Sequence, residues 1–227
     1  MSHNTWIHRA VRVGVRPLTR TSVTPNQVTA VRLFTGIAAA GLIAMGREPF
    51  TAIGAGVLLV SMLLDRADGE LARLTKKFSP GGHRFDLLSD AFCNSIAFVA
   101  VGIGLRDGSI LGYWAIPMGA IAGICIALNL SMVVGLEEAK GARAGELDSM
   151  WGFDADDGML LVPLLLWLGL DVVVMILAFA CAPVFYVWAG LHFKRQHGLK
   201  RFPFPDLTLR GNGRRDLQPQ PVDPPRR

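Results

Sequence analysis

DRADGELARLTKKFSPGGHRFDLLSD, residues 65–90, places four aspartates, the glycines Gly69 and Gly82 and the pair Ala72-Arg73 at set intervals: D-x-x-D-G-x-x-A-R, then G-x-x-x-D-x-x-x-D. Long apolar runs flank it on both sides, so these acids stand where a hydrophobic segment meets water. On a helix turning about 100° per residue, Asp65, Asp68, Gly69 and Ala72 fall within an arc of roughly 100°, with Arg73 just beyond it. Asp86 and Asp90, at i and i+4, share one face of the next helix. Two helix faces with two carboxylates each can therefore converge.

The surrounding chain explains the setting. Of its 227 residues, 51% are hydrophobic and 18% charged, and mean hydropathy is +0.38. Several uninterrupted apolar runs reach about 20 residues, the length that crosses a bilayer core. The fold class expected is all-α: an integral membrane protein with six transmembrane helices and an N-terminal interfacial amphipathic helix. A formal charge of +5 could suggest nucleic acid, but the basic residues mark the ends of apolar runs and form no single stripe with interleaved aromatics, so nucleic acid is excluded as a partner. Cys93, Cys125 and Cys181 all fall inside apolar segments, without C-x-x-C spacing, and read as small core residues.

Three regions follow. Residues 1–23 interleave Arg9, Arg12, Arg16 and Arg20 with Trp6, Val11, Val13 and Val15, a cytoplasmic amphipathic segment suited to an anionic leaflet; a solvated basic arm is the alternative. No cleavable signal peptide is expected, since no apolar run precedes a small-residue cleavage site. Residues 24–195 form the six-span domain. Thr24-Pro25-Asn26-Gln27 reads as a helix start with a capping box, opening a first span to about Met45. A second runs from Phe50 through Leu64 and continues as helix through Arg73. A loop from Thr75 to Gly82 leads to a third span beginning near Phe85 and ending near Leu105. The fourth runs from Tyr113 to Leu136, the fifth from Met159 to Leu170, and the sixth from Val172 to Phe193, with Gly169-Leu170-Asp171 as a tight turn between the last two. Residues 196–227, rich in proline and charge, read as a disordered cytoplasmic tail.

Lys and Arg crowd the cytoplasmic side of membrane proteins. Arg9 through Arg20, Lys76, Lys77, Arg84, Lys140, Arg143, Lys194 and Arg195 fall on one side of a six-span chain, and only Arg47 and Arg106 on the other. The expected location is the cell membrane, multi-pass, with both termini and the aspartate stretch cytoplasmic.

Four carboxylates in one partly apolar pocket repel each other and carry a heavy desolvation penalty, so they should be protonated or neutralised. Two divalent cations would cancel them, and all-oxygen ligation suits Mg²⁺, Mn²⁺ or Ca²⁺. Paired metals stabilise both attacking and leaving oxygens in phosphoryl chemistry. Gly69 and Gly82 then remove side chains where a ligand approaches the backbone. The plainer alternative, acids at helix ends paired with Arg66 or Arg73, serves for one or two aspartates but poorly for four on matched faces near a membrane.

The stretch resembles the complete signature of the CDP-alcohol phosphotransferase family, also called CDP-alcohol phosphatidyltransferases, with every motif position filled. The six-span pattern is similar to that family across residues 20–195. The resemblance implies a metal-dependent enzyme holding two Mg²⁺ or Mn²⁺ ions, with Asp65, Asp68 and Asp86 as ligands. Asp90 would serve as ligand and as catalytic base toward the acceptor hydroxyl. Gly69, Ala72 and Gly82 would admit the cytidine nucleotide and Arg73 would contact its phosphates. An alcohol oxygen would attack the phosphorus bearing the donor's alcohol, releasing CMP, in phospholipid biosynthesis. The implied partners are a CDP-alcohol donor, expected to be CDP-diacylglycerol, an alcohol acceptor, membrane lipid and a second copy in a homodimer.

Asn26 and Thr29 resemble nucleotide-side positions of the family's first helix, with simple capping as the alternative. Arg32, inside the first span, needs a partner or must snorkel. Asn94 continues the face of Asp86 and Asp90 and is an acceptor-side candidate. Arg84, Lys140 and Arg143 are weaker ones, equally readable as positive-inside residues. Members that use phosphorylated water-soluble acceptors often carry Lys or Arg after the last aspartate. Ala91 stands there in this chain, leaving the acceptor open. Two alternatives remain: a CDP-linked polar headgroup donor with a lipid alcohol acceptor, and, from another class, a cation transporter.

Overall fold

A computed structural model describes residues 6–77, 80–140 and 155–196. Every regular element among the described residues is helical: α1 (Trp6–Val15), α2 (Pro25–Ala44), α3 (Phe50–Thr75), α4 (Pro80–Gly104), α5 (Ala115–Lys140), α6 (Leu161–Trp167) and α7 (Asp171–Gln196), with 3-10 turns at Arg16–Arg20, Gly112–Trp114 and Ala155–Leu160. Five of these helices are long and apolar enough to cross a membrane, and Gly158–Trp167 is a shorter apolar sixth. The expected all-helical membrane architecture therefore holds.

Local chemistry sets the boundaries. Thr24 caps α2, with its side chain accepting from the Gln27 amide and the Gln27 side chain accepting from the Thr24 amide, while Pro25 occupies the first helical position. No breaker interrupts Leu64-Asp65, and α3 runs on until Lys76 takes a left-handed conformation at φ 55. Gly169, at φ +68, ends α6; the Leu170 amide reaches back to the Leu165 carbonyl at 3.0 Å, closing the turn into α7. One boundary differs from the sequence expectation: α4 starts at Pro80, so Gly82 lies in its first turn and not in the loop. Proline suits a first helical position because its φ is preset and its missing N–H has no partner to lose there.

The bundle has two ends. At the far end, Ile43 and Gly46, Thr51, Gly104 and Leu105, Leu166 and Asp171 line one small cavity, so the ends of α2, α4 and α6 meet the starts of α3 and α7 there. At the near end, Met132 and Leu136 late in α5 pack with Ala189 and Phe193 late in α7. Helix α5 thus finishes at the near end, yet α6 finishes and α7 starts at the far end. The chain crosses the bundle between Lys140 and Leu166, which makes six passages although the described helix in the fifth is short. At about 1.5 Å per residue, the ten residues of Gly158–Trp167 cover about half of a 30 Å hydrocarbon core; residues 141–154 lie outside the described residues.

Close backbone approach binds α4 to α5. A Cβ at Gly119 would stand 2.5 Å from the Phe98 carbonyl oxygen, the kind of contact small residues permit between membrane helices. The main core joins Ala39, Ile43, Ala55, Leu58, Met62, Ala97, Val101 and Met175. Helix α1 is amphipathic as expected, and part of its apolar face rests on protein: Val15 is buried with Val28 and Leu71, beside Val11 and Leu18, while Val13 is exposed. The segment expected to be a disordered tail lies outside the described residues from position 197 onward.

Candidate active site

The four aspartates gather at the near end, where α2 starts, α3 ends and α4 starts. Asp65 and Asp68 lie one turn apart on α3 and Asp86 in the second turn of α4. One oxygen from each of the three lies within 4.8 Å of the others. Asp68 is buried, whereas the Asp65 and Asp90 side chains keep 28% and 24% of their surface open.

Different neighbours hold these acids. Thr29, buried on α2, donates its hydroxyl to Asp68 Oδ2 at 2.6 Å. Arg32, one turn deeper and 2% exposed, forks between two helices: Nη1 lies 3.1 Å from Asp65 Oδ1, and Nη2 donates to Asp90 Oδ1. Asn94 donates to the same Asp90 oxygen at 2.7 Å. Both contacts fall on Oδ1, so among the described residues Asp90 Oδ2 stays open. Ser61 on α3 donates to the Arg32 carbonyl at 2.9 Å, tying the backbone that carries Arg32 to the neighbouring helix.

Charge accounting changes once Arg32 is included. Four carboxylates and one guanidinium leave three negative charges, so two divalent cations would bring the pocket to one net positive charge, suited to an anionic nucleotide. The residues fit such cations. Asp86 Oδ1 is buried and accepts no hydrogen bond among the described residues, a costly state for a carboxylate oxygen unless a cation meets it. Oxygens facing each other across Mg²⁺ stand about 4.2 Å apart, and across Ca²⁺ somewhat further. The observed spread of Asp65, Asp68 and Asp86 is close to that range.

Gly69 stands beside this cluster. Among the described residues a Cβ there would meet only Arg73 Nη2, at 3.7 Å, so packing within them does not demand glycine. Arg73 Nη2 donates to Glu70 Oε1 at 3.0 Å. Glu70 is 1% exposed and also receives Arg12 of α1, whose Nε reaches Oε2 at 3.1 Å and whose Nη2 reaches Oε1 at 3.3 Å. The hydrogen bond to Glu70, then its charge, push the Arg12 pKa up from its ordinary value.

Of the other candidates, Ala72 is half-buried on α3 and Gly82 half-buried in the first turn of α4. Asn26 is exposed in the first turn of α2, as is Arg84 on α4. Lys140 ends α5 with a side chain outside the described residues, as is all of Arg143. His83 Nε2, on an exposed side chain, lies 3.3 Å from Glu137 Oε2, linking α4 to α5. Glu70 was not singled out in the sequence, and Arg12 was read there only as part of the basic amphipathic segment. The available signal was a glutamate directly after Gly69, three residues before Arg73, in a helix already crowded with acids.

Comparison with known proteins agrees with this geometry. Residues 22–187 match the family model described as CDP-alcohol phosphatidyltransferase. A stretch of 98 residues is 33% identical to a protein of Rubrobacter xylanophilus described as a bifunctional IPC transferase and DIPP synthase, covering 42% of this chain and 22% of that protein. The match thus spans about a fifth of that relative's length.

Proposed function

The chain belongs to the CDP-alcohol phosphatidyltransferase family, and from that premise we propose that it moves a substituted phosphate from CDP-diacylglycerol to an alcohol acceptor, releasing CMP. The observation that carries this is the meeting of Asp65, Asp68 and Asp86 within 4.8 Å beside Asp90, which keeps one oxygen open.

Each residue has a physical task. When bound by Asp65, Asp68, Asp86 and Asp90, two Mg²⁺ or Mn²⁺ ions supply positive charge against the attacking and leaving oxygens. Asp90 Oδ2 takes the acceptor hydroxyl proton as that oxygen bonds to the phosphorus bearing the diacylglycerol; the bond from that phosphorus to the CMP oxygen breaks, and CMP departs. Arg32 and Asn94 fix Oδ1, so the carboxylate presents its other oxygen in one orientation. Thr29 orients Asp68, Gly69 leaves room for the nucleotide, and Arg73 meets its phosphates.

Arg12, Lys76, Lys77, Arg84 and Lys194 lie toward the near end, with Arg47 and Arg106 toward the far end. That asymmetry supports a site on the cytoplasmic face of the cell membrane, with both termini on the same side. The family resemblance adds a homodimer.

The test is CMP release by the purified protein across a panel of donors and acceptors. Release from CDP-diacylglycerol with small alcohols, lost in EDTA and restored by Mg²⁺ or Mn²⁺, is the expected result. Release only from CDP-linked headgroups with lipid alcohols would reverse donor and acceptor. Metal flux in liposomes without CMP release would replace the enzyme with a transporter.

A further inference from the structure

Asn129 lies inside the membrane-crossing helix α5 with its Oδ1 buried and, among the described residues, without a hydrogen-bond partner, a costly state for a polar atom in apolar surroundings. Its level in the bundle is set by α4, which runs antiparallel to α5. A Cβ at Gly123 would stand 2.7 Å from the Ser95 carbonyl oxygen, and His83 Nε2 lies 3.3 Å from Glu137 Oε2. Between those two points Asn129 falls level with Asp90. Its direction follows from its own helix. Ala122, two turns earlier and about 20° away around the axis, is buried with Phe98 of α4 and Val174 of α7, while Met132 and Leu136 pack with Ala189 and Phe193 of α7. Asn129 therefore faces the interior between α4 and α7. Asp90 and Asn94 face that interior from α4: Cys93, about 60° to one side of Asp90, packs on Gly36 of α2, and Ser95, about 140° to the other, backs onto α5. The wall that Asn129 belongs to carries little charge. Neither α5 from Ala115 to Leu136 nor α7 from Val172 to Phe193 contains Asp, Glu, Lys or Arg, and Glu137 lies about 12 Å nearer the near end.

We propose that Asn129 selects the acceptor: it holds a second hydroxyl of an uncharged polyhydroxy alcohol whose first hydroxyl lies at Asp90 Oδ2. This rests on the proposed transfer from CDP-diacylglycerol and narrows its acceptor class. An unpartnered carbonyl oxygen needs a donor, which a hydroxyl supplies and a phosphate dianion does not. Ala91, beside Asp90, adds no cation for a phosphate. Asn129 takes no part in the proton transfer; it fixes the alcohol so that the reacting oxygen meets Asp90 in one orientation.

The test is CMP release from CDP-diacylglycerol by the purified protein with Mg²⁺, using glycerol and myo-inositol against the matched single-hydroxyl alcohols 1-propanol and cyclohexanol. The unaltered protein should favour at least one polyol over its match by about tenfold or more in kcat/KM, and over the charged acceptors glycerol 3-phosphate, inositol phosphate and L-serine. Asn129→Leu, which keeps the volume, should raise KM for that polyol by about tenfold with kcat near its original value. The same variant should leave CDP binding and the reaction of the single-hydroxyl alcohol intact, which a role confined to packing α5 would not predict. Should Asn129→Leu fail to assemble, Asn129→Ala takes its place. No preference for a polyol, a preference for a charged acceptor, a preference that survives in Asn129→Leu, or an equal loss with every acceptor overturns the inference while the transfer reaction stands. Absence of CMP release from CDP-diacylglycerol with every acceptor overturns the proposed function itself.

Discussion

Arg32 on α2 donates to the Oδ1 of Asp90 on α4, across 58 positions of sequence. The same guanidinium reaches Asp65 on α3, so one side chain joins three helices at the point where the acids converge. With Arg32 only 2% exposed, losing its guanidinium would leave Asp65 and Asp90 without their cation in a poorly hydrated pocket, whereas losing the Asp90 charge leaves Arg32 its contact with Asp65.

Arg32→Ala is therefore expected to cost about 3 kcal/mol of stability, the scale of breaking a buried ion pair from one side, and to lower turnover by at least about 100-fold as Asp90 loses its orientation. Arg32→Lys keeps the charge but cannot fork between Asp65 and Asp90, so its turnover should fall between the two. Thermal unfolding in detergent and CMP release from the same preparations measure both effects.

Thr29 tests the metal site separately. Thr29→Val keeps the volume and removes the hydroxyl that holds Asp68 at 2.6 Å. The Mg²⁺ concentration for half-maximal CMP release should rise by about 10- to 100-fold, the usual cost of losing a partner of a metal ligand, while turnover at saturating Mg²⁺ stays near its original value. A fall in turnover that added Mg²⁺ does not correct would place Thr29 in a different role.

Two glycines should respond in opposite directions. At Gly119 a methyl group would meet the Phe98 carbonyl at 2.5 Å, and backbone cannot step aside, so Gly119→Ala should destabilise the α4–α5 contact by about 1–3 kcal/mol. At Gly41 none of the described residues lies within 4 Å of such a methyl group, and Gly41→Ala should be neutral or stabilising by up to about 1 kcal/mol through helix propensity. Unfolding temperatures of the two variants decide it.

What sequence reasoning reached, and what it did not, follows from the range of each interaction. The T-P-N-Q cap and the unbroken passage of Leu64 into Asp65 are local chemistry, and both stand where the sequence placed them. The pairing of Asp65 and Asp68 with Asp86 was legible because helical spacing put each set on one face. The partner of Arg32 was not: it depends on how α2 packs against α4, and the sequence left a choice between a partner and snorkelling. Glu70 was missed because it sits inside the motif but faces away from it, toward a helix that precedes the bundle. The start of α4 moved to Pro80 because proline and two glycines, read as loop, are compatible with a first helical turn.

The most direct test is Asp90→Asn, assayed for CDP binding and CMP release in one preparation. Asparagine keeps the shape and can still meet Asn94, but it cannot take the acceptor proton. The expected result is CDP binding close to that of the unaltered protein with CMP release abolished; CMP release at the original rate would contradict the role given to Asp90.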